Sequence, residues 1–142
     1  MASVSATGGT ERPSGPPGER IPALLRRFAP AAPPTSLAGA AVLIVLREGA
    51  RDIEALLIER TIRSTDRASG QIALPGGHVH EGDRSLAETA LRECAEEVGL
   101  RPGDLRSVPR FVGIEPARAF SSDVAVFASE LGEPAPGPTV YS

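Results

Sequence analysis

Three carboxylates, Glu93, Glu96 and Glu97, stand within five residues in the segment Arg92-Glu93-Cys94-Ala95-Glu96-Glu97-Val98-Gly99-Leu100. On a helix, spacings of three and four set Glu96 and Glu97 about one turn from Glu93, on the same side. Like charges so placed repel by a few tenths of a kcal/mol per pair. A hard divalent cation, Mg²⁺ or Mn²⁺, is the natural compensation, because such ions take carboxylate and phosphate oxygens together. Glu93, Glu96 and Glu97 are therefore the metal-ligand candidates, and a diphosphate is the group such an ion would hold. A Glu-Glu pair alone is more often a solvated helix face. Here it stands in a longer pattern: Gly77, five residues, Asp83, eight residues, Arg92-Glu93, then Glu96-Glu97 and Gly99. At average residue usage that combination arises by chance on the order of once in 10⁸ positions.

The elements that must position these groups are legible nearby. Ser85-Leu86-Ala87-Glu88 is a capping-box sequence. Leu86, Ala90, Cys94 and Val98 recur every four residues with Leu91 beside them, which gives one apolar face. Gly99 suits a helix C-terminus, and Pro102 discourages continuation. The spacing predicts a helix over 86–98, about four turns. Arg92 lies four residues from both Glu88 and Glu96, so its fixed charge can hold a carboxylate in place. The bland alternative is a surface ion pair of little worth.

Upstream, Pro75-Gly76-Gly77 can bring backbone close to a phosphate or cation, which makes Gly76 and Gly77 substrate-binding candidates. Arg60, Arg63 and Arg67, in and beside the polar stretch 61–70, are candidates for phosphate contacts, though each also fits a solvated loop charge. His78 and His80 lack a third ligand at zinc spacing. Glu115 reads as an additional base or as an exposed loop acid. Cys94 falls on the apolar side of the helix and reads as core packing rather than a nucleophile.

The pattern around Glu93 resembles the Nudix box, with two departures: eight rather than seven residues before the arginine, and Asp83 in place of glutamate. Leu56-Leu57-Ile58-Glu59-Arg60-Thr61 and Gly70-Gln71-Ile72-Ala73-Leu74-Pro75-Gly76-Gly77 are similar to the motif of coenzyme A pyrophosphatases within that superfamily. There Ile58 replaces a threonine, His80 stands where an aspartate is usual, and 61–70 is one residue longer. The resemblance implies a Nudix-like α/β/α sandwich around a mixed sheet. It also implies metal-assisted phosphoanhydride hydrolysis, with Arg92, Glu93, Glu96 and Glu97 as the catalytic set and Mg²⁺ or Mn²⁺ as cofactor. Arg92 would orient a ligand carboxylate, Gly77 would belong to the metal-site turn, and Glu96 or Glu97 would act as base. CoA would give 3′,5′-ADP and 4′-phosphopantetheine; ADP-ribose, NADH and a dNTP remain alternative substrates. A rival reading is a non-catalytic Nudix-fold binding module.

Composition agrees with a small enzyme domain. The chain has 142 residues, 41% hydrophobic, enough for one core. A net charge of −3 without a basic stripe argues against nucleic-acid binding. All fifteen basic residues are arginine, so no P-loop lysine exists. A single cysteine fits a reducing cytosol, so a cytoplasmic location is expected. The longest apolar run, 37–46, is too short for a membrane span and suits a buried strand. The expected organisation is a Pro/Gly/Ala-rich, mostly disordered extension over 1–36 with a short helix at 23–28, a Nudix domain over 37–131, and a Pro/Gly-rich tail over 132–142. Strands are expected at 40–47, 53–60, 71–74, 107–114 and 123–127. The closing strand and helix usual for Nudix domains are not legible, so one sheet face is expected to lack its cover. Either the chain is a truncated product, or a partner, such as a second copy in a homodimer, supplies the cover.

Overall fold

The computed structural model describes residues 2–3, 15–16, 18–28, 38–59, 71–117 and 121–132. At its centre lies the run Ala40–Glu48, which is apolar at both odd and even positions and therefore buries both faces. This strand, β2, follows β1 (Ala2–Ser3) and precedes β3 (Ile53–Ala55), β4 (Ile58–Glu59), β5 (Ile72–Ala73), β6 (Gly76–His78), β7 (Arg110–Ala117) and β8 (Ser122–Glu130). One edge of β2 is shared: β3 pairs antiparallel with Leu46–Glu48 and β6 with Ala40–Val42. The other edge takes β8 in parallel, from Ala40↔Val124 to Leu46↔Glu130. β7 then pairs antiparallel with β8, and β1 with β3, so the sheet is mixed. A separate two-stranded sheet joins β4 and β5.

Several boundaries differ from the sequence expectation. The hairpin partner expected over 53–60 ends at Ala55. Leu56 still donates its N–H to Val45 O at 2.9 Å, and its side chain is buried. Beyond it the chain leaves to form β4, because β6 occupies the rest of that edge of β2. The Gly76-Gly77 turn expected after 71–74 is instead part of strand β6. β7 starts three residues later than expected, and β8 runs from Ser122 through Glu130.

Helix α2 spans Leu86–Val98, as its spacing predicts. Ser85 Oγ accepts the Glu88 N–H at 3.1 Å, and Gly99 ends the helix at φ 76° with its N–H on Ala95 O. Leu86, Ala90, Cys94 and Val98 pack against Ala41, Leu43 and Val45 of β2 and Ala125 and Phe127 of β8. The opposite sheet face carries helix α1, Arg20–Leu25. It begins three residues before the expected 23–28 because Pro22 sits inside its first turn, where a missing N–H costs nothing. Ile21 and Leu25 bury against Leu46, Ala55 and Ala128, so α1 covers part of the face expected to lie open. The expected tail, apart from Gly132, lies outside the described residues.

Candidate functional site

The site forms where α2 lies across β6. Helical phasing brings Glu93 and Glu97 toward the strand, while Glu96 sits one step round on the exposed side. Gly77 faces Glu93: a Cβ added there would fall 2.5 Å from the Glu93 carboxyl carbon. Gly76 donates its N–H to Glu97 Oε1 at 3.3 Å. Gly77 thus permits a close strand-to-carboxylate approach, with no left-handed backbone involved, while Gly76 makes room for the backbone of β2.

Arg92 organises the carboxylates. Its Nη1 donates to Glu93 Oε1 at 3.0 Å and to the Glu96 oxygens at 3.2 and 3.3 Å. Its Nε and Nη2 form a fork on Asp83 at 2.9 and 3.0 Å, and Nη2 also reaches His78 O at 3.0 Å. Sequence spacing anticipated Glu96. Asp83 enters from the loop before the helix, whose 80–83 turn is closed by Asp83 N–H on His80 O at 2.9 Å. The Asp83 side chain is 4% exposed and is held far below the usual carboxylate range, first by the Arg92 hydrogen bonds, then by the His80 N–H and the Thr89 hydroxyl, against the cost of burial. The same fork raises the Arg92 guanidinium above its ordinary value.

The other candidates fall as follows. Arg60, Arg63 and Arg67 lie outside the described residues. His78, the last residue of β6, and His80, on the segment leading to α2, are both exposed. Glu115 is exposed on β7 in register with Val124, whose row faces away from α2, so it stands apart from the Glu93 set. Cys94 is buried, and its thiol is pushed up to about 12 by burial and by the charge of Glu97, as suits a packing residue. Thr89 stood within the family-like segment Thr89 to Glu93 but was given no role; its position in the first turn, six residues after Asp83, was the available signal.

Among the described residues, no three acidic, histidine or cysteine groups converge into a ready-made metal cage. Glu93 and Glu96 share Arg92, while Glu97 rests on the Gly76 amide. The donor chemistry nonetheless fits a hard divalent cation: three carboxylates at one-turn spacing beside a glycine that leaves Glu93 room.

Fold and site together define a mixed-sheet α+β domain with an arginine-braced acidic helix. The profile of the NUDIX domain family matches residues 37–139, and the chain belongs to that family. Among its relatives, the human mitochondrial coenzyme A diphosphatase NUDT8 is 44% identical over 64 residues, which are 44% of this chain and 27% of that protein. Nudix hydrolase NudL of Klebsiella aerogenes is 38% identical over 78 residues, 55% of this chain and 63% of that protein. The matched segment spans only 21% of a Schizosaccharomyces pombe relative and 27% of NudL from Pectobacterium atrosepticum. In fold, the chain is similar to an Ap4A hydrolase of C. elegans, at TM-score 0.55 and 23% identity over 72% of this chain and 71% of that one. It is also similar to the NUDIX domain of Shewanella oneidensis NrtR in complex with ADP ribose, at TM-score 0.54 and 21% identity over 70% and 64%.

Proposed function

We propose that the chain hydrolyses a phosphoanhydride bond in a nucleoside diphosphate derivative, with CoA or an acyl-CoA as substrate. The observation that carries this reading is the placement of Glu93, Glu96 and Glu97 on one helix, two of them braced by Arg92, beside Gly76 and Gly77. Mg²⁺ or Mn²⁺, held by the three glutamates, would neutralise the diphosphate and make a water more acidic. Arg92 keeps Glu93 and Glu96 oriented, and Glu96 or Glu97 receives the proton of the attacking water. The water oxygen bonds to one phosphorus as the bridging P–O bond breaks. CoA plus water then gives 3′,5′-ADP and 4′-phosphopantetheine. Arg60, Arg63 and Arg67, outside the described residues, complete the reading as phosphate contacts.

Support for CoA over other nucleotides comes from the segments 56–61 and 70–77 and from the likeness to a coenzyme A diphosphatase. Among the described residues no helix is long and apolar enough to cross a membrane. The reading places the protein in the cytoplasm as a homodimer that binds no nucleic acid.

Product analysis with Mg²⁺ and with Mn²⁺ tests it, offering CoA, ADP-ribose, NADH and a dNTP beside a Glu97→Gln control. Release of 3′,5′-ADP from CoA, lost in the control, is the expected result. Turnover of another nucleotide would replace the substrate. No turnover by the folded chain would leave a binding module.

A further inference from the structure

Thr89 is fully buried in the first turn of α2. A helical threonine has an ordinary partner, the carbonyl four residues back, and Thr89 Oγ1 lies 3.2 Å from Ser85 O. A second acceptor is nearer, Asp83 Oδ2 at 2.9 Å. The hydroxyl has one proton to donate. A hydrogen bond to an ionised carboxylate is roughly twice as strong as one to a neutral carbonyl, so Asp83 takes it.

The consequence lies in how the Asp83 carboxylate is fixed. Arg92 grips it with two bonds, Nε on Oδ1 and Nη2 on Oδ2, while the rest of the guanidinium is held by Glu93, Glu96 and His78 O. On the Asp83 side, two further donors hold Oδ2: the His80 N–H at 2.8 Å and the Thr89 hydroxyl. His80 belongs to an exposed loop. Thr89 belongs to α2, as Arg92, Glu93 and Glu96 do, so its hydroxyl fixes the incoming Asp83 carboxylate against the helix on which Arg92 sits. The links run Thr89–Asp83 at 2.9 Å, Asp83–Arg92 at 2.9 Å and Arg92–Glu93 at 3.0 Å.

We propose that Thr89 is a positioning residue of the acidic site, its hydroxyl setting the orientation of Arg92 through Asp83 and thereby the carboxylates of Glu93 and Glu96. This rests on the reading of those glutamates as the working groups. A purely structural Thr89 would need only Ser85 O, and its loss would leave Arg92 undisturbed.

The test is side-chain NMR on the 142-residue chain labelled with ¹⁵N-arginine, with the Arg92 Nε–H signal assigned by its disappearance in Arg92→Lys. Thr89→Val is expected to speed exchange of that proton with water at least about tenfold, the factor carried by one hydrogen bond to a charged group. Thr89→Ser is expected to restore it. In the hydrolysis assay Thr89→Val should lower kcat about tenfold at nearly constant KM, as loss of an outer-shell partner does. An Arg92 signal unchanged in Thr89→Val, or a serine variant as impaired as valine, would overturn the proposal. Should Thr89→Val not fold, Thr89→Ala against Thr89→Ser gives the same comparison. If the parent chain cleaves no nucleotide, the proposed activity fails, and the exchange measurement still decides on Thr89.

Discussion

Gly77 and Glu93 meet backbone to carboxylate, with no room between them for a methyl group. The atoms that a Cβ would strike belong to the far end of the Glu93 side chain, which can swing away. Gly77→Ala is therefore expected to keep the fold, with a denaturant midpoint near that of the parent, while cutting activity by an order of magnitude or more. Gly76→Ala is different: its Cβ would meet Ala41 O and fall 2.7 Å from Val42 Cα, both backbone atoms. That variant should lose about 1–3 kcal/mol of stability in urea titration. Adjacent glycines thus separate a functional from a structural constraint.

Asp83 should carry an acid limb of stability. Its carboxyl is held low in the folded state, so its contribution is complete above about pH 4, the ordinary value, and is lost as pH falls below it. Asp83→Asn leaves Arg92 without its fork. At pH 7 the variant should be less stable by about 3 kcal/mol, the lower end for a broken buried pair, because Arg92 keeps 22% of its side chain in water. From about pH 4 downward the parent should lose ground relative to the variant. Urea midpoints across that range check both statements.

How much of this was open to sequence reading depends on how local each signal is. Helix α2 follows from Ser85, the four-residue apolar recurrence and Gly99, all within one segment. The carboxylate set was legible for the same reason. Pairing was not: nothing local in Gly76-Gly77-His78 announces a strand, because its extended form comes from the free upper edge of β2. Likewise Asp83 reaches Arg92 only once the 80–83 turn folds back on the helix, so helix spacing found Glu96 and passed over the stronger fork. The short helix was expected at 23–28 without a surface to bury against, because the sheet face that takes Ile21 and Leu25 is assembled from strands distant in sequence.

Glu130 should show the opposite pH trend. It is 5% exposed at the end of β8, its Oε1 is 3.2 Å from Arg106, and its Oε2 has no hydrogen-bond partner among the described residues. Burial raises its pKa, Arg106 pulls it down, and Glu48 of β2, itself paired with Arg20 of α1, pushes it up again. A raised carboxyl favours the folded state at low pH, and that advantage fades as pH climbs from about 4 through the folded value. Stability of the parent relative to Glu130→Gln should therefore fall between pH 4 and 7, read from denaturant midpoints of the two proteins.

Cys94 should resist thiol reagents. It is 1% exposed, and with a pKa pushed up to about 12 it holds almost no thiolate at neutral pH. Labelling is expected to be slow in buffer, complete in denaturant and without effect on turnover when Cys94 is replaced by alanine, apart from a cavity cost of about 1–2 kcal/mol.

The parallel ladder between β2 and β8 joins Ala40 to Val124, residues 84 positions apart in the chain. A nascent polypeptide emerging from the ribosome would hold its most apolar strand, β2, half-paired while everything through α2 and β7 is still being made. The β2–β3 and β2–β6 contacts can shelter one edge early, but the other waits for the last strand described. Closing a loop of that length before any bond rewards it makes this step slow. The same pairing that gives the acidic helix a rigid floor therefore makes the chain vulnerable to aggregation during synthesis, through the waiting edge of Val42, Ile44 and Leu46.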